Sequence, residues 1–399
     1  MLTGRDVVLI SSIDWNDVWQ VPQEIALRLA RSGNRVLFVE NTGVRSPALG
    51  DLGRVNSRFR GWLSARRSGG LRRLEENVYL SSPLVLPPFG SALRRQVNRS
   101  VFIPRIGRAA RHLGMRDPLL WTFLPTDSAC EIIRSVRTER SVVLYYCAAD
   151  FTCLTPHSRN LELSERKLLE QCDVVFATCA ELERRCGKWN RNVHLCPHGV
   201  DLSAFPAEET AKPAGAAEDY LRTIRALPRP VIGFVGGLHR FVDFDLLATM
   251  IRGRPAWTWV FVGPRDPSAL QLSGLPNAHL IGRQPHEDMV HFIRTFDVGI
   301  VPYVKTIRTR TILPVKINEY LAAGKAVVST DLEPVSEFNR RHPVLTLSDN
   351  RPESFLSAIE QALLDANNPA SAARRRAVAA QYDWPICMER MSTLIEPLL

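Results

Sequence analysis

Short apolar runs of strand length alternate with segments of helical period along nearly the whole chain, and this leaves few folds open. Asp6–Ser12 reads as a strand. It is followed by Val21–Ala30, with Val21, Ile25, Ala26 and Leu29 at helical spacing, then by Gly33 and a second strand, Arg35–Glu40. Leu119–Phe123, Val142–Cys147, Asp173–Thr178 and Asn192–Cys196 continue the series, with helical segments such as Thr126–Val136 and Ser164–Gln171 between them. Helices between strands favour parallel sheets covered on both faces.

The pattern runs twice. Residues 203–228, rich in Ala, Pro and Glu, read as a linker. A second alternation follows, with strands at Val231–Val235, Thr258–Val262, His279–Ile281, Val298–Val301 and Ala326–Thr330 and helices beginning near Asp243, Glu287 and Pro314. The expectation is an α/β protein of two doubly wound, Rossmann-like domains, 1–202 and 229–380, with a final helix in 381–399 packing back on the first. A length of 399 residues with 45% hydrophobic residues suits two cores of ordinary size.

Charge narrows the function classes. Residues 45–116 hold fifteen arginines, no lysine and only Asp51, Glu75 and Glu76 as acids, and this one segment accounts for the formal net charge of +10. Arginine outnumbers lysine throughout the chain, but that bias does not explain the scarcity of acids here. A local anionic partner follows, such as a membrane surface or a diphosphate-bearing substrate. Nucleic acid is disfavoured because no aromatic residues interleave regularly with the arginines. The longest uncharged stretch, Asn77–Leu93, contains Pro83, Pro87 and Pro88, so it is no membrane-spanning helix. The first apolar run ends at Asp14, too early for a signal-peptide core, and the expected location is the cytoplasm. Eight cysteines without a Cys-x-x-Cys pair read as free thiols.

In the second half, Gly236-Gly237, Gly263-Pro264 and Gly282-Arg283 stand at the carboxyl ends of successive strands, the edge where open parallel sheets bind ligands. No Gly-x-Gly-x-x-Gly follows the first strand of the chain, where Ser11–Trp15 stands, which disfavours a dinucleotide-dependent dehydrogenase. Lys316, Glu319, Tyr320 and Ala323 share one face of the helix expected from Pro314. A proline in a first turn loses no hydrogen bond, the helix start attracts a diphosphate, Lys316 adds a full charge, and the Glu319 carboxylate can accept from two ribose hydroxyls. Asp243-Phe244-Asp245 looks like a metal motif, but it stands where a helix begins, and an N-cap with a first-turn acid is the better reading. His194 and His198 span a strand end and Pro197, which does not suit a helical metal pair.

The segments Phe296–Tyr303 and Pro314–Thr330 together resemble the donor-site signature of GT-B glycosyltransferases, particularly the retaining family 4. Val231–Leu238, Val260–Pro264 and Pro276–Arg283 follow the same family's order and spacing; Asp173–Thr178 and Pro197–Asp201 agree more loosely, with His198 where the family usually has Asn. The resemblance implies an N-terminal acceptor-binding domain and a C-terminal donor-binding domain. It implies transfer of a sugar from a UDP- or GDP-linked donor to a glycan or polyprenyl-linked saccharide, with retention and without a metal or cofactor, in cell-envelope or extracellular polysaccharide synthesis.

The donor residues it implies are Gly236, Gly237, Arg240, Gly263, Gly282, Arg283, Pro314, Val315, Lys316 and Glu319. Lys316 stabilises the leaving group, and Asp150 or Asp14 either orients the acceptor hydroxyl or caps a turn. The sequence departs from the family at Thr311, where an earlier glutamate is usual, and at Gly237 and Val242, where a basic pair is usual; Arg240, Arg308, Arg310 and Lys316 are the candidate substitutes. These departures keep open a silent, scaffold-like subunit. A nucleotide-sugar epimerase of related fold is the enzymatic alternative. Residues 91–113 mix Leu93, Val97, Val101, Ile106 and Ala110 with six arginines, which reads either as a face for anionic lipid at the inner side of the membrane or as a helix packed on its own domain.

Overall fold

A computed structural model of the chain describes residues 1–42, 71–83, 85–86, 91–155, 158–206, 213 and 215–399. Much of the basic segment 45–116, and residues 207–212 and 214 of the expected linker, lie outside the described residues.

The chain divides into two units, Met1–Pro197 with Met388–Leu399, and His198–Cys387. The first is built on eight strands: β1 (Asp6–Ile10), β2 (Arg35–Val39), β3 (Leu71–Glu75), β4 (Val78–Ser81), β5 (Leu119–Thr122), β6 (Val143–Cys147), β7 (Val174–Ala177) and β8 (Val193–Leu195), in the order β3-β4-β2-β1-β5-β6-β7-β8. Every neighbouring pair is parallel except the β3–β4 hairpin. Apart from Asp6 and Arg35, which start β1 and β2, the residues of β1, β2, β6 and β7 are buried, and these strands therefore read as largely apolar runs. The hairpin is an addition to the expected pattern. Its turn holds Asn77 at φ 64°, a conformation Asn adopts more readily than most residues.

Helices enter this sheet with local start signals. Gln20 and Gln23 form a reciprocal capping box ahead of Val21–Arg31, and Thr126 accepts from the Ala129 N–H at 3.2 Å to cap Asp127–Val136. At the other end of the chain, helix Trp384–Ile395 runs into the first unit, where the Leu2 N–H donates to the buried Ser392 hydroxyl at 3.1 Å.

The second unit has six parallel strands: β9 (Val231–Val235), β10 (Thr258–Val262), β11 (Ala278–Gly282), β12 (Val298–Val301), β13 (Ala326–Thr330) and β14 (Thr346–Ser348), in the order β11-β10-β9-β12-β13-β14. Numbered within the unit, that order is 3-2-1-4-5-6, which reverses direction between β9 and β12. The segment expected to be a linker is partly a helix, Ala216–Arg225, in which Ala217, Leu221 and Ile224 at i, i+4 and i+7 are buried in the core of this unit. An alanine-rich stretch with one apolar stripe gains its stability from that burial, which composition alone did not reveal.

Candidate functional site

In an open α/β sheet a ligand meets backbone and side chains in the crevice where the strand order reverses, here the carboxyl edges of β9 and β12. Three glycines make that edge. The Gly236 N–H donates to Val262 O at 2.9 Å and the Gly263 N–H to Gly282 O at 2.8 Å, so the ends of β9, β10 and β11 are stitched side by side. Gly263, at φ 146°, lies so close to its neighbour that a Cβ there would stand 2.1 Å from Gly236 O. The result is a floor of backbone without side chains, the kind of surface that lets a phosphate approach closely.

The loop leaving β9 is pinned on both sides. Leu238 N–H donates to Pro264 O at 2.8 Å, Asp243 N–H to Pro302 O at 2.8 Å, and Val304 N–H to Phe241 O at 2.9 Å. Asp243 caps helix Phe244–Gly253 through the Leu246 N–H at 3.0 Å and also accepts from Asn350 at 3.1 Å, so its carboxylate serves the loop. Arg240 is exposed, with its guanidinium 5.3 Å from the Phe241 ring centroid, and Arg283 is exposed beyond Gly282. Arg308 and Arg310 are exposed on the loop after β12.

The helix after β12 runs from Lys316 to Ala322, later than expected: Pro314 and Val315 form the turn that leads into it. Ile317 N–H donates to Pro314 O at 3.1 Å and Asn318 N–H to Val315 O at 3.0 Å. Those donors are therefore spent locally, and the attraction for an anion rests on Lys316 more than on the helix start. The Lys316 ammonium reaches back over the glycine floor. A Cβ at Gly236 would lie 3.2 Å from its Nζ, which sits 4.7 Å from the Phe234 ring centroid and 4.8 Å from that of Tyr303, and donates to the Tyr303 hydroxyl at 2.6 Å.

Tyr320, fully buried one turn on, packs its ring where a Cβ at Gly299 of β12 would stand 2.7 Å away, and its hydroxyl accepts from the Val235 N–H at 2.9 Å. This bond fixes the helix to the end of β9. The Glu319 carboxylate, on the same face, makes no hydrogen bond or ion pair among the described residues; burial raises its pKa, against the lowering charges of His286 and Lys316. A carboxylate desolvated in this way is primed to accept from hydroxyl groups. Sequence reasoning placed Tyr320 on this helix face but not its bond to β9, and it assigned no role to Tyr303 or His286, because each of these reaches the site through a contact distant in the chain.

Two further residues organise the approach to this helix. Asn318 donates through Nδ2 to His198 O at 2.9 Å while its buried Oδ1 has no hydrogen-bond partner among the described residues. Burial lowers the His198 imidazole to a pKa of about 4, so the ring is neutral near pH 7. Thr311, in place of the expected glutamate, is buried.

In the first unit, Asp150 is tied into a structural network. Its carboxylate accepts from the Thr152 N–H at 3.0 Å, capping a short helical turn, and pairs with Arg185, which also pairs with the buried Glu165. Burial pushes the Asp150 carboxyl up, but the Thr152 hydrogen bond and the Arg185 charge outweigh it and hold it below its usual range. Glu165, which accepts from the Tyr145 hydroxyl at 2.9 Å, is shifted the other way by its deeper burial. The Asp14 carbonyl accepts from the Asp17 N–H at 3.2 Å in a turn after β1. The capping role left open for Asp150 is thus occupied, and Asp14 stands in a turn.

Comparison with known proteins bears on the second unit and on the fold. Residues 229–365 match the family profile of glycosyl transferases group 1. A Bacillus subtilis protein provisionally named teichuronic acid biosynthesis glycosyltransferase TuaH is 26% identical over 234 residues, 56% of this chain and 57% of its own length. The chain thus spans little more than half the length of that curated relative. Sucrose-phosphate synthase from Thermosynechococcus elongatus superposes with a TM-score of 0.69 at 17% identity over 99% of both chains. Anabaena Alr3699/HepE in complex with UDP gives 0.66 at 14% identity over 98% of this chain and 100% of that one. The α,α-trehalose 6-phosphate synthase from Burkholderia multivorans gives 0.67 at 13% over 100% and 99%. At such identities the structures establish the fold. The chain has the GT-B fold, and residues 229–365 of its second unit are similar to the glycosyl transferases group 1 family.

Proposed function

We propose that the protein transfers a sugar from a nucleoside diphosphate sugar to a glycan or lipid-linked saccharide, with retention of anomeric configuration, in the synthesis of a cell-envelope or extracellular polysaccharide. The observation that carries this reading is the placement of Lys316 over the glycine floor at the strand-order reversal, with the unpaired Glu319 carboxylate one turn further on. Lys316 neutralises the departing diphosphate and Glu319 accepts from the ribose hydroxyls. A diphosphate oxygen then takes the acceptor proton as the new glycosidic bond forms on the face the leaving group vacates, so few protein acids or bases are needed. The first unit is assigned to the acceptor and the inner face of the membrane to the reaction. The envelope setting is supported by the name of the Bacillus relative, and a uridine donor is the first to test because the Anabaena neighbour was solved with UDP.

The test is a thermal-shift and calorimetric screen of UDP, GDP, ADP and their sugar conjugates. Binding of one nucleotide, abolished in Glu319→Ala, is expected. A folded protein that binds none of them overturns the reading. A second reading, a silent subunit that binds the donor without using it, is favoured by Thr311, buried where the family pattern has a glutamate. Donor binding without transfer or hydrolysis, restored to turnover by Thr311→Glu, would select it.

A further inference from the structure

The glycine floor beyond β9 is covered by more than one nitrogen. Lys316 lies over Gly236, and the imidazole of His239 lies over Gly237, where a Cβ would stand 2.7 Å from its Cδ2 and 3.3 Å from its Nε2. The ring thus fills the space that a side chain at 237 would take, and glycine is what leaves room for it.

The ring is held from its other edge. Its Nδ1 accepts from the Phe241 N–H at 3.4 Å, it meets the Phe241 ring edge-on at 5.0 Å between centroids, and the His239 carbonyl accepts from the Val242 N–H at 2.8 Å. Phe241 packs in turn on Tyr303, at 6.2 Å between centroids, the residue whose hydroxyl holds Lys316. With Nδ1 as acceptor, the neutral ring carries its proton on Nε2, the nitrogen over the floor. That nitrogen makes no hydrogen bond among the described residues.

The surrounding charges keep the half-buried ring neutral near pH 7. Burial lowers its pKa and the Lys316 ammonium lowers it further; Asp266 opposes this, Arg240 adds to it, and the ring's own carbonyl, placed to accept from a charged Nδ1, favours the imidazolium. A diphosphate on the same floor reverses the balance, because it offsets Lys316 and sets a dianion beside the ring.

On the donor-site reading above, we propose that His239 is a second diphosphate-binding group, donating from Nε2 beside Lys316, and that it takes up a proton from solvent as the donor binds. Donor affinity therefore rises as pH falls through the titration of the bound ring, and levels off once the free ring is charged as well.

The experiment is calorimetric titration of the full chain with UDP-, GDP- and ADP-glucose, in buffers of differing ionisation enthalpy. These probes share a diphosphate esterified at both ends, so they lack the terminal phosphate ionisation at about pH 6 that would mask the protein's own proton. Uptake of about half a proton or more per bound donor at roughly pH 6.5 is expected, with Kd about tenfold tighter at about pH 6 than at about pH 8. His239→Gln should abolish the uptake and weaken binding at the lower pH by about tenfold, with the melting temperature preserved. His239→Arg, which carries a fixed charge, should bind without uptake at either pH and decides the matter if the Gln variant does not fold. Donor binding by the parent protein without proton uptake, or uptake that survives both substitutions, overturns the proposal and leaves the donor site standing. A folded parent protein that binds none of the probes removes the donor-site reading and the proposal with it.

Discussion

Lys316 sits between two aromatic rings with its ammonium held by the Tyr303 hydroxyl, an arrangement that places the charge before any ligand arrives. Removing the charge should cost most: Lys316→Ala is expected to lower turnover at saturating donor by about a hundredfold or more, and unchanged turnover would sink its assignment as the leaving-group cation. Tyr303→Phe separates charge from positioning, since it keeps the ring and deletes the hydrogen bond. A fall of about tenfold in kcat/KM for the donor is expected, with the melting temperature preserved; an unaltered kcat/KM would show that the rings alone place the ammonium. His198 makes a prediction of the opposite kind, about stability. With its folded pKa lowered to about 4, the unfolded chain binds the proton first as pH falls below its ordinary value. Stability is therefore full above about pH 6.5 and declines towards pH 4, by about 3 kcal/mol if the whole shift is realised. Urea unfolding across that window, with His198→Asn losing the slope attributable to this ring, checks it; an identical slope in the variant refutes it.

At the scale of elements, the site depends on how closely strand ends can approach. A Cβ at Gly263 would meet the Gly236 carbonyl at 2.1 Å from a backbone already at φ 146°, and neither atom belongs to a movable side chain. Gly263→Ala should destabilise the second unit by about 3 kcal/mol or more and lose nucleotide response, measured by denaturant unfolding and thermal shift. A stable, responsive variant would mean that the β9 and β10 ends part without consequence.

Much of this architecture was legible beforehand. Strands buried on both faces read as unbroken runs of Val, Ile and Leu, and Gly-Gly, Gly-Pro and Gly-Arg marked the strand ends correctly. The hairpin β3–β4 was not legible, because Leu71–Glu75 is half charged and takes its strand state from pairing with Val78–Ser81. Strand β14, three residues long, lacks a period to read. Pro314 pointed to the donor helix but two residues early, since the chain makes a tight turn before Lys316 takes helical form. The partners that position Lys316 and Glu319 are distant in sequence, Phe234 lying 82 residues before Lys316 and His286 33 residues before Glu319, and no local pattern encodes such a meeting.

Over the whole molecule, each unit has its own sheet and its own buried cluster, with Val8, Leu37, Leu120 and Tyr145 at the heart of one and Ile232, Phe261, Ile300 and Tyr320 at the heart of the other. The glycine floor, Lys316 and Glu319 all belong to the second. A ligand that binds there stabilises only what unfolds with its site, so nucleotide at a hundred times its Kd should add about 2.7 kcal/mol to the second unit. For a unit of this size that is a rise of roughly 5–10 °C in its melting temperature, with the transition of the first unit unmoved. Scanning calorimetry with and without nucleotide is the measurement, and Glu319→Ala should return the trace to that of the unliganded protein. One transition that shifts as a whole with nucleotide would show that the two units unfold as a single body, and the confinement of the gain to the second unit would then be wrong.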